Sequence, residues 1–303
     1  KFNTMKILVT GGAGFIGSHL TDKLIEQGHQ VKILDNLLTG KRENINPKAE
    51  FVEEDIRNLE KIKPHFQGID YVFHTAAFPR VQESIENPIE TNEINITGTL
   101  NVLIAARDAK VKRLIYSASS AAYGDSNVLP LKEDMKPSPK NPYGLQKYVG
   151  EEYCKLFSMF YNLETVCPRY FNVYGERMSD RGAYVSVMSV FLRQRKNKEP
   201  LTITGDGTQT RDFTHVSDVV RANILAMTSD TVGKGETINI GAGKNYSVNQ
   251  IAELFKGQEG IKHVEPRVEV HDTLADNSLA KKLLGWQPEK SLEEAIKELV
   301  IKL

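Results

Sequence analysis

The chain has 303 residues, and its 39 Lys and Arg balance 39 Asp and Glu to a formal net charge of zero. This balance gives no reason to expect nucleic acid or an anionic membrane as the main partner, since both attract basic surfaces. No apolar run approaches the roughly 20 residues that span a bilayer, and the polar residues 1–4 do not resemble a signal peptide. The two cysteines, Cys154 and Cys167, favour a cytoplasmic protein and argue against a disulfide framework or a metal site.

The first predicted element is a strand over 6–10 that leads through a glycine turn into a helix. Gly11, Gly14 and Gly17 follow the strand at intervals of three, and the helix is predicted over 15–27. Such glycines let the chain turn sharply, let its backbone approach a pyrophosphate and let helix and strand pack closely. The helix N-terminus then favours an anion. A glycine turn in some other α/β protein is the alternative.

The second predicted strand, over 31–35, ends in an acid. Asp35 follows Gly17 by 18 residues, which is about where a carboxylate would meet the ribose of a dinucleotide. A carboxylate there accepts hydrogen bonds from ribose hydroxyls and repels a 2′-phosphate, so NAD is favoured over NADP. Lys41 and Arg42 would soften that preference, unless they are solvated loop charges.

Strands and helices alternate through the first half of the chain. Several predicted strands are continuous apolar runs, as expected for strands that are buried on both faces. Further strands are predicted at 51–54, 70–74, 112–117 and 163–167, and helices near 91–109 and 143–161. This order predicts an α/β fold with a doubly wound parallel sheet of the Rossmann type, and ligands at the carboxyl ends of its strands.

Two strand ends in this half are candidates for contact with the dinucleotide. Asp55 follows the third strand and is predicted to lie near the adenine. Ala76 and Ala77 follow the fourth strand, where small side chains would let the cofactor approach. Ordinary loop chemistry explains each of them equally well.

Beyond Pro168 the alternation loosens into a mixed region. Helices are predicted near 184–196, 215–226, 247–256, 277–284 and 291–301, and strands at 201–204 and 237–240. We therefore expect a dinucleotide-binding domain over 5–172, to which segments near 211–241 return. A smaller mixed α/β region over 173–303 is expected to bind the substrate.

A tyrosine and a lysine lie four residues apart on the helix predicted over 143–161. Tyr143 and Lys147 therefore share a helix face, and the ammonium is expected to stabilise the phenolate and lower the pKa of Tyr143. That would make Tyr143 a general base for a sugar or alcohol hydroxyl. Ser119, at the end of the fifth strand, would hydrogen-bond that hydroxyl and relay its proton. A surface Tyr/Lys pair and a hydroxyl-rich turn without a ligand are the alternatives.

These features together resemble the extended short-chain dehydrogenase/reductase superfamily. The matching residues are Gly11, Gly14, Gly17, Asp35, Asp55, Ser119, Tyr143 and Lys147. Within the superfamily they resemble the branch of nucleotide-sugar epimerases and dehydratases. The likeness extends from Met5 to the C-terminus, with further matching segments at 92–98, 168–175, 211–216, 239–241 and 283–286.

The resemblance implies that NAD is the cofactor, that no metal ion is needed, and that Tyr170 lies near the nicotinamide. The implied NAD-binding residues are Gly11, Gly14, Phe15, Ile16, Gly17, Asp35, Asn36, Gly40, Asp55, Ile56, Ala76, Ala77, Asn95, Tyr143, Lys147 and Tyr170.

The residues before Tyr123 narrow the reaction that the resemblance implies. Dehydratases of the family have an Asp-Glu pair there and decarboxylases keep a Glu, whereas this chain has Ala121 and Ala122. It therefore resembles the UDP-hexose 4-epimerases, and most closely those that act on UDP-N-acetylglucosamine. Tyr143 would take the proton of the 4-hydroxyl with help from Ser119, and C4 would give its hydride to NAD. The 4-keto sugar would then turn before hydride returns to its opposite face.

The resemblance also implies residues that bind a UDP-sugar. Asn172 and Arg211 would hold the diphosphate, and the small Thr273 would leave room for an N-acetyl group on the sugar. The remaining candidates are Ser186, Val187, Leu201 and Ile203 for the uridine, and Arg80, Ser119, Ser120 and Tyr143 for the sugar. Arg80 is explained as well by a solvated arginine. Where the family often has Arg-x-Gly-Asp, this chain has Pro-Arg-Val-Glu over 266–269, so Arg267 is shifted by one position and Glu269 replaces the acid.

Members of the family dimerise through the helices that correspond to 91–109 and 143–161, so a homodimer is expected. Core packing would explain the apolar stripe of the first helix equally well; the stripe consists of Ile94, Leu100, Leu103 and Ile104. The leading prediction is an NAD-dependent 4-epimerase of UDP-GlcNAc and UDP-GalNAc, and also of UDP-Glc and UDP-Gal. The alternatives are a 4,6-dehydratase or 4-keto reductase of nucleotide sugars, and a non-catalytic NAD-binding protein.

Overall fold

The computed structural model describes residues 4–125, 128–179, 186–266 and 270–303. The strands in these residues are β1 (Lys6–Thr10), β2 (Gln30–Leu34), β3 (Glu50–Val52), β4 (Tyr71–His74), β5 (Arg113–Tyr116), β6 (Ala118–Ser119), β7 (Glu164–Tyr170), β8 (Val173–Tyr174), β9 (Leu201–Thr204), β10 (Thr210–Asp212), β11 (Thr214–His215), β12 (Lys234–Ile240), β13 (Asn245–Ser247) and β14 (Ile261–Val264). The helices are α1 (Phe15–Glu26), α2 (Leu59–Ile62), α3 (Val81–Glu86), α4 (Pro88–Asn92), α5 (Gly98–Asp108), α6 (Pro142–Tyr161), α7 (Val187–Asn197), α8 (Val216–Thr228), α9 (Val248–Phe255), α10 (Ser278–Leu284) and α11 (Leu292–Ile301).

A parallel sheet forms the centre of the molecule. Its strands lie in the order β12-β7-β5-β4-β1-β2-β3, and the short β6 also pairs with β7. The register brings the carboxyl ends of β1, β2, β4 and β5 to one edge, where Thr10 pairs with Leu34 and with His74. β4 and β5 are buried along their whole length, which explains why neither alternates polar with apolar residues. The predicted doubly wound parallel sheet is confirmed.

Helices cover both faces of the sheet with apolar side chains. On one face α1 contributes Leu20 and Leu24, and α8 contributes Val219 and Ala222, together with the fully buried Trp286. On the other face α2, α5 and α6 pack side chains such as Ile62, Leu103 and Phe157. Burial of these surfaces supplies the main driving force for the fold, and it fixes α6, which carries Tyr143, against the sheet.

The chain returns to the sheet late in the sequence. β12 pairs in parallel with β7, with Ile240 opposite Tyr170, and α8 packs beside α1. A separate apolar cluster unites α7, α9 and α11 with the parallel pair β9 and β14, and the rings of Phe191 and Phe255 lie 6.0 Å apart within it. The domain limits at 5–172 and 173–303 stay a prediction.

The predicted strands and long helices are confirmed to within a few residues, with three differences. The helix predicted over 91–109 consists of α4, a π-helical turn over Glu93–Thr97, and α5. The helix predicted over 184–196 begins at Val187 among the described residues. Six short strands were not predicted: β6, β8, β10, β11, β13 and β14. Each has only two to four residues, which is too short for a periodic pattern, and each pairs with a segment that is distant in sequence. No helix in the described ranges has both the length and the apolar character to cross a bilayer.

Candidate active site

The glycine turn lies at the carboxyl end of β1, in the middle of the sheet. Gly11 has φ +75°, a conformation that side chains disfavour, and a Cβ there would lie 2.6 Å from the backbone nitrogen of Ala76. A Cβ on Gly17 would collide with the carbonyl oxygen of Gly11. These two glycines therefore let β1, the segment after β4, and α1 come together.

The N-terminus of α1 is open toward a ligand. Gly14 is its N-cap residue, and the first turn contains no acidic side chain. Within the described part of the chain, no capping side chain meets the first backbone N–H groups, which belong to Phe15, Ile16 and Gly17. Donors of this kind, at the positive end of a helix dipole and beside a glycine turn, suit a diphosphate.

Asp35 lies just beyond the end of β2, next to the glycine turn. Its Oδ2 accepts the backbone N–H of Ala13 at 3.0 Å, and its Oδ1 accepts that of Leu37 at 2.8 Å. Each carboxylate oxygen has room for a second donor, so a pair of ribose hydroxyls can be accommodated. Burial raises the pKa of Asp35 despite these two bonds. Gly40 packs closely against the Asp35 carboxylate, since a Cβ there would lie 3.0 Å from Oδ1 of Asp35.

Asp55 lies beyond β3 and is held by two neighbours. Asn36 donates to its Oδ2 at 2.8 Å, and Nη2 of Arg57 donates to the same oxygen at 2.7 Å. Burial alone would raise the pKa of Asp55, but the bonds from Arg57 and Asn36 outweigh burial and lower it. Ile56 is buried in the core, so a ligand at this position would meet its backbone rather than its side chain.

Asn95 ties the segment after β4 to α6. Its Oδ1 accepts the N–H of Phe78 at 2.7 Å, and its Nδ2 donates to the carbonyl of Phe78 at 3.1 Å and to Oε1 of Gln146 at 2.7 Å. Ala76 and Ala77 come directly before this bracket, and both are partly exposed. The buried Asn95 amide therefore fixes the loop in which the two alanines lie.

Ser119, Tyr143 and Lys147 come together where β6 ends and α6 begins. Burial raises the pKa of the Tyr143 phenol, and the hydroxyl of nearby Ser119 acts in the opposite direction. The buried Nζ of Lys147 donates to the carbonyl oxygen of Ser117 at 2.8 Å and lies 4.9 Å from the ring centroid of Tyr116. Tyr143 and Lys147 thus lie one turn apart on α6, which packs against the short strand that ends in Ser119.

The predicted lowering of the Tyr143 pKa is wrong for the chain by itself. Burial raises the pKa of Tyr143, and the hydrogen bond from Ser119 offsets this only in part. Burial also lowers the pKa of Lys147 to about 8, against the opposing effect of the Glu151 charge. Spacing along a helix indicates that the two groups share a face but not that both are withdrawn from water, and desolvation penalises both charged forms.

Tyr170 ends β7 beside Ser119, with which it pairs in the sheet register. Its hydroxyl donates to Oδ1 of Asn223 at 2.8 Å and lies 3.2 Å from Oγ of Ser117. Burial raises the pKa of Tyr170 to about 12, so this phenol stays neutral. Its ring is therefore a fixed wall of the site, not a second base.

Asn172 and Thr273 meet beside Arg211, although they are far apart in sequence. Nδ2 of Asn172 donates to Oγ1 of Thr273 at 3.2 Å and to the carbonyl of Asp212 at 2.8 Å. Nη1 of Arg211 donates to the carbonyl of His271 at 2.8 Å. Residues predicted to hold a diphosphate and to flank a sugar therefore adjoin one another.

The residues predicted to border a uridine lie at the start of α7 and on β9, two elements of the separate apolar cluster. Ser186 is the exposed N-cap of α7, and Val187 is the first residue of that helix. Leu201 and Ile203 are only 1% exposed and belong to the apolar cluster, so neither offers its side chain to a ligand. A cavity of about 880 Å³ begins at the next residue of this strand, Thr204, and extends to His271.

The two remaining sugar candidates, Arg80 and Ser120, are both partly exposed. Nη1 of Arg80 donates to Oε1 of Glu83 at 2.9 Å, and its guanidinium carbon lies 6.0 Å from the ring centroid of Phe78. Ser120 is partly exposed in the turn that follows Ser119. Arg267 and Glu269 lie outside the described residues. In the described ranges, no group of three or more His, Cys, Asp or Glu side chains could hold a metal ion.

Three residues that organise the site were not predicted. Asp212 is completely buried, and its carboxylate accepts backbone N–H groups of Ala242, Gly243 and Ala275 at 2.7–3.0 Å. Ser84 accepts the backbone N–H of Tyr143 in the first turn of α6, and Gln146, which belongs to α6, bonds Asn95 and Thr91. Asp212 belongs to the matching segment 211–216, but no local pattern around Ser84 indicates its contact.

Comparison with known proteins agrees with this geometry. Residues 7–241 match the NAD dependent epimerase/dehydratase family. A Methanocaldococcus jannaschii protein provisionally named UDP-glucose 4-epimerase is 46% identical over 302 residues, which cover 97% of each chain.

Two solved structures share the whole fold. UDP-glucose 4-epimerase from Thermotoga maritima, solved with UDP-glucose, is 41% identical, has a TM-score of 0.93 and is matched over 98% of both chains. UDP-N-acetylglucosamine 4-epimerase from Methanobrevibacter ruminantium, solved with UDP-N-acetylmuramic acid, is 36% identical and has a TM-score of 0.92. That match covers 98% of this chain and 97% of the other.

Proposed function

The chain belongs to the NAD-dependent epimerase/dehydratase family, and we propose that it is a 4-epimerase of UDP-sugars that works through a 4-keto intermediate. The observation that carries this proposal is the meeting of Ser119, Tyr143 and Lys147 at the sheet edge that also holds the glycine turn. The likeness to two 4-epimerases over nearly the whole chain supports the same reaction.

NAD, the cofactor of this family, fits the residues that the chain provides. The uncapped start of α1 and the glycine turn offer N–H donors for its diphosphate, and Asp35 offers acceptor capacity for a ribose. Asn36 and Asp55 form a polar edge for the adenine end. When bound, NAD supplies the acceptor for the hydride that leaves C4 of the sugar, and it is the donor when that hydride returns.

The chain's own residues move the proton of the 4-hydroxyl. Tyr143 accepts this proton at its phenol oxygen, and Ser119 hydrogen-bonds the reacting oxygen so that the proton has a short path. Lys147 stays largely protonated at pH 7 because its pKa is about 8, and its charge favours the phenolate. On return of the hydride, Tyr143 gives the proton back.

The remote part of the substrate supplies most of the binding energy in this proposal. Asn172 and Arg211 hold the diphosphate, and the 880 Å³ cavity next to β9 accommodates the uridine. Energy from these contacts secures the substrate without fixing the reacting ring. The 4-keto sugar is therefore free to turn and present its other face.

The turn after Ser119 disfavours the dehydratase alternative. Elimination of water requires an acid and a base beside the sugar, but Ala121 and Ala122 carry no such group and Ala122 is completely buried. A 4-keto reductase would consume added reductant, whereas an epimerase returns its hydride and needs none.

The deciding experiment incubates the purified chain with UDP-GlcNAc and, separately, with UDP-Glc, and then separates the sugar nucleotides by chromatography. UDP-GalNAc and UDP-Gal are the expected products, without added reductant. Product from neither substrate, even with NAD added, would contradict the proposed reaction.

Activity on N-acetylated sugars is proposed because a small residue, Thr273, lies beside Asn172. Replacing Thr273 by Tyr should lower kcat/KM for UDP-GlcNAc by about tenfold or more, with a smaller effect on UDP-Glc, because the larger ring occupies the space of the N-acetyl group. The two kcat/KM values measured side by side test this. Thr273→Ser is the control, since it keeps the hydroxyl that accepts the Asn172 amide; equal losses for both substrates would contradict the specificity role.

A homodimer is also proposed, from the apolar surface of α6. Leu145, Leu156, Met159 and Phe160 are all exposed, Phe160 by 68%, and the first two lie three helical turns apart on one face. An apolar face of this kind marks an interface. A second copy is the natural occupant, because a two-fold axis would pack the face against itself.

The Leu156→Glu/Phe160→Glu double variant is expected to be a monomer, because two charges would be buried without partners in the interface. Light scattering after size-exclusion chromatography at micromolar concentration measures this directly. Leu254→Glu, an exposed leucine on α9, is the control and should leave the dimer intact. A wild-type monomer, or a double variant that still dimerises, would rule out this face.

The proposed enzyme acts in the cytoplasm. Cys154 and Cys167 are both buried free thiols, and burial together with the neighbouring Cys154 raises the pKa of the Cys167 thiol. Thiols that adjoin each other stay reduced in the cytosol, whereas oxidising compartments favour disulfides.

A further inference from the structure

The first turn of α6 has an unusual requirement, because it carries the candidate base. A helix leaves its first backbone N–H groups without intrahelical partners. Pro142 at the first position has no N–H, and the N–H of Gly144 donates to Oδ1 of the N-cap Asn141 at 2.8 Å. The backbone N–H of Tyr143 therefore has no acceptor in the first turn of its own helix.

Ser84 supplies the missing acceptor from another helix. The N–H of Tyr143 donates to Oγ of Ser84 at 3.1 Å. Ser84 is completely buried, and its own hydroxyl proton is directed to the carbonyl oxygen of Val81 at 2.6 Å. The hydroxyl is therefore oriented, with its lone pair aimed at the residue whose phenol would take the substrate proton.

The attachment of Ser84 makes this contact rigid. Its backbone N–H donates to the carbonyl of Arg80 at 3.2 Å, so it lies in the first turn of α3. On the other side of α6, a Cβ on Gly144 would lie 2.6 Å from the carbonyl oxygen of Ala121, which shows how closely the helix approaches the turn after Ser119. α6 is thus held between α3 and the turn that carries the serine of the site.

From this geometry we infer that Ser84 is a positioning residue for the reaction: by accepting the backbone N–H of Tyr143, it holds the phenol at hydrogen-bonding distance from Ser119 and from the substrate hydroxyl. The inference rests on the proposed function. Ser84 does not touch the reacting atoms in this role. It fixes the position of Tyr143 along the axis of α6.

The test compares substitutions at Ser84 in the full chain with NAD, using UDP-Glc and UDP-GlcNAc. Because a displacement of about 1 Å at a reacting group can cost on the order of 10²-fold, Ser84→Ala should lower kcat by about 10- to 100-fold and leave KM within about threefold of wild type. Ser84→Cys keeps the volume of the side chain but is a poor acceptor, so it should show the same loss. Ser84→Thr keeps the acceptor and should recover most of kcat.

A structural role alone would give another pattern. Ser291→Ala is the matched control, because Ser291 also accepts a first-turn N–H, that of Glu294, but at the start of the distant α11. It should lower the melting temperature without changing kcat. Wild-type kcat in both Ser84→Ala and Ser84→Cys would overturn the inference, and so would an equal loss of kcat in Ser291→Ala. Absence of turnover in the wild type would instead refute the proposed function, so the two failures are distinguishable.

Discussion

Replacing Tyr143 by Phe is expected to lower kcat by about 10³-fold or more, because the proposed mechanism assigns the substrate proton to this phenol oxygen and general bases contribute ~10²–10⁴-fold. The ring remains, so the packing of α6 and the affinity for NAD should change little. Chromatographic measurement of epimerised product, together with titration of NAD binding, separates the two effects.

The control for this substitution lies on the same helix. Tyr148→Phe removes a partly exposed phenol five residues after Tyr143. It should leave kcat within about twofold of wild type, because substitutions on the surface, away from buried contacts, usually have small effects. Turnover close to wild type in Tyr143→Phe would contradict the mechanism. A loss of both turnover and NAD binding would show that the phenol holds the cofactor instead of moving the proton.

The fold was predictable because its strongest signals are local. The run over 7–9 and the glycine spacing together predict β1, the turn and α1, and the register at Thr10 follows from a buried parallel sheet. β4 and β5 have no exposed face, so polar and apolar residues do not alternate along them. They are still predicted as strands because strands and helices alternate along this part of the chain. Long elements in regular order are therefore the part of the structure that a single sequence reveals.

The candidate site was predictable wherever function depends on a motif, and not where it depends on packing. Tyr143 and Lys147 are adjacent because helix geometry makes them so. The bond from the Tyr143 backbone to Ser84 crosses 59 residues of sequence, and it forms only when α3 packs against α6. No periodicity or composition near Ser84 contains that information.

Burial explains the other departures from expectation. Apolar and polar residues alternate along β9. Its two apolar side chains, Leu201 and Ile203, point into the separate apolar cluster of α7, α9 and α11. Desolvation likewise reverses the expected direction of the Tyr143 pKa. Sequence predicts which groups share a face, but the extent to which each is removed from water depends on every element that packs above it.

This reversal makes the lysine decisive for activity. Tyr143 is only partly exposed, and desolvation of its phenol raises its pKa, so in the proposed mechanism the phenolate depends on positive charge placed nearby. Lys147 is itself buried, and its pKa of about 8 leaves the ammonium as the main form at pH 7. The carbonyl of Ser117, 2.8 Å from Nζ, orients that charge.

Lys147→Met is therefore expected to lower kcat at pH 7 by about 10²-fold or more and to move the acid limb of the kcat profile to higher pH. The sign follows from the charge: without the ammonium the phenolate is less favoured, the pKa of Tyr143 rises further, and more alkaline solution is needed to ionise it. Steady-state kcat measured across pH 6–10, a range of about four pH units around the ordinary values of these groups, tests this. Lys155→Met, which removes an exposed lysine two turns further along α6, should keep the wild-type profile. An unchanged acid limb in Lys147→Met, at whatever reduced kcat, would show that Lys147 holds the cofactor without tuning the base.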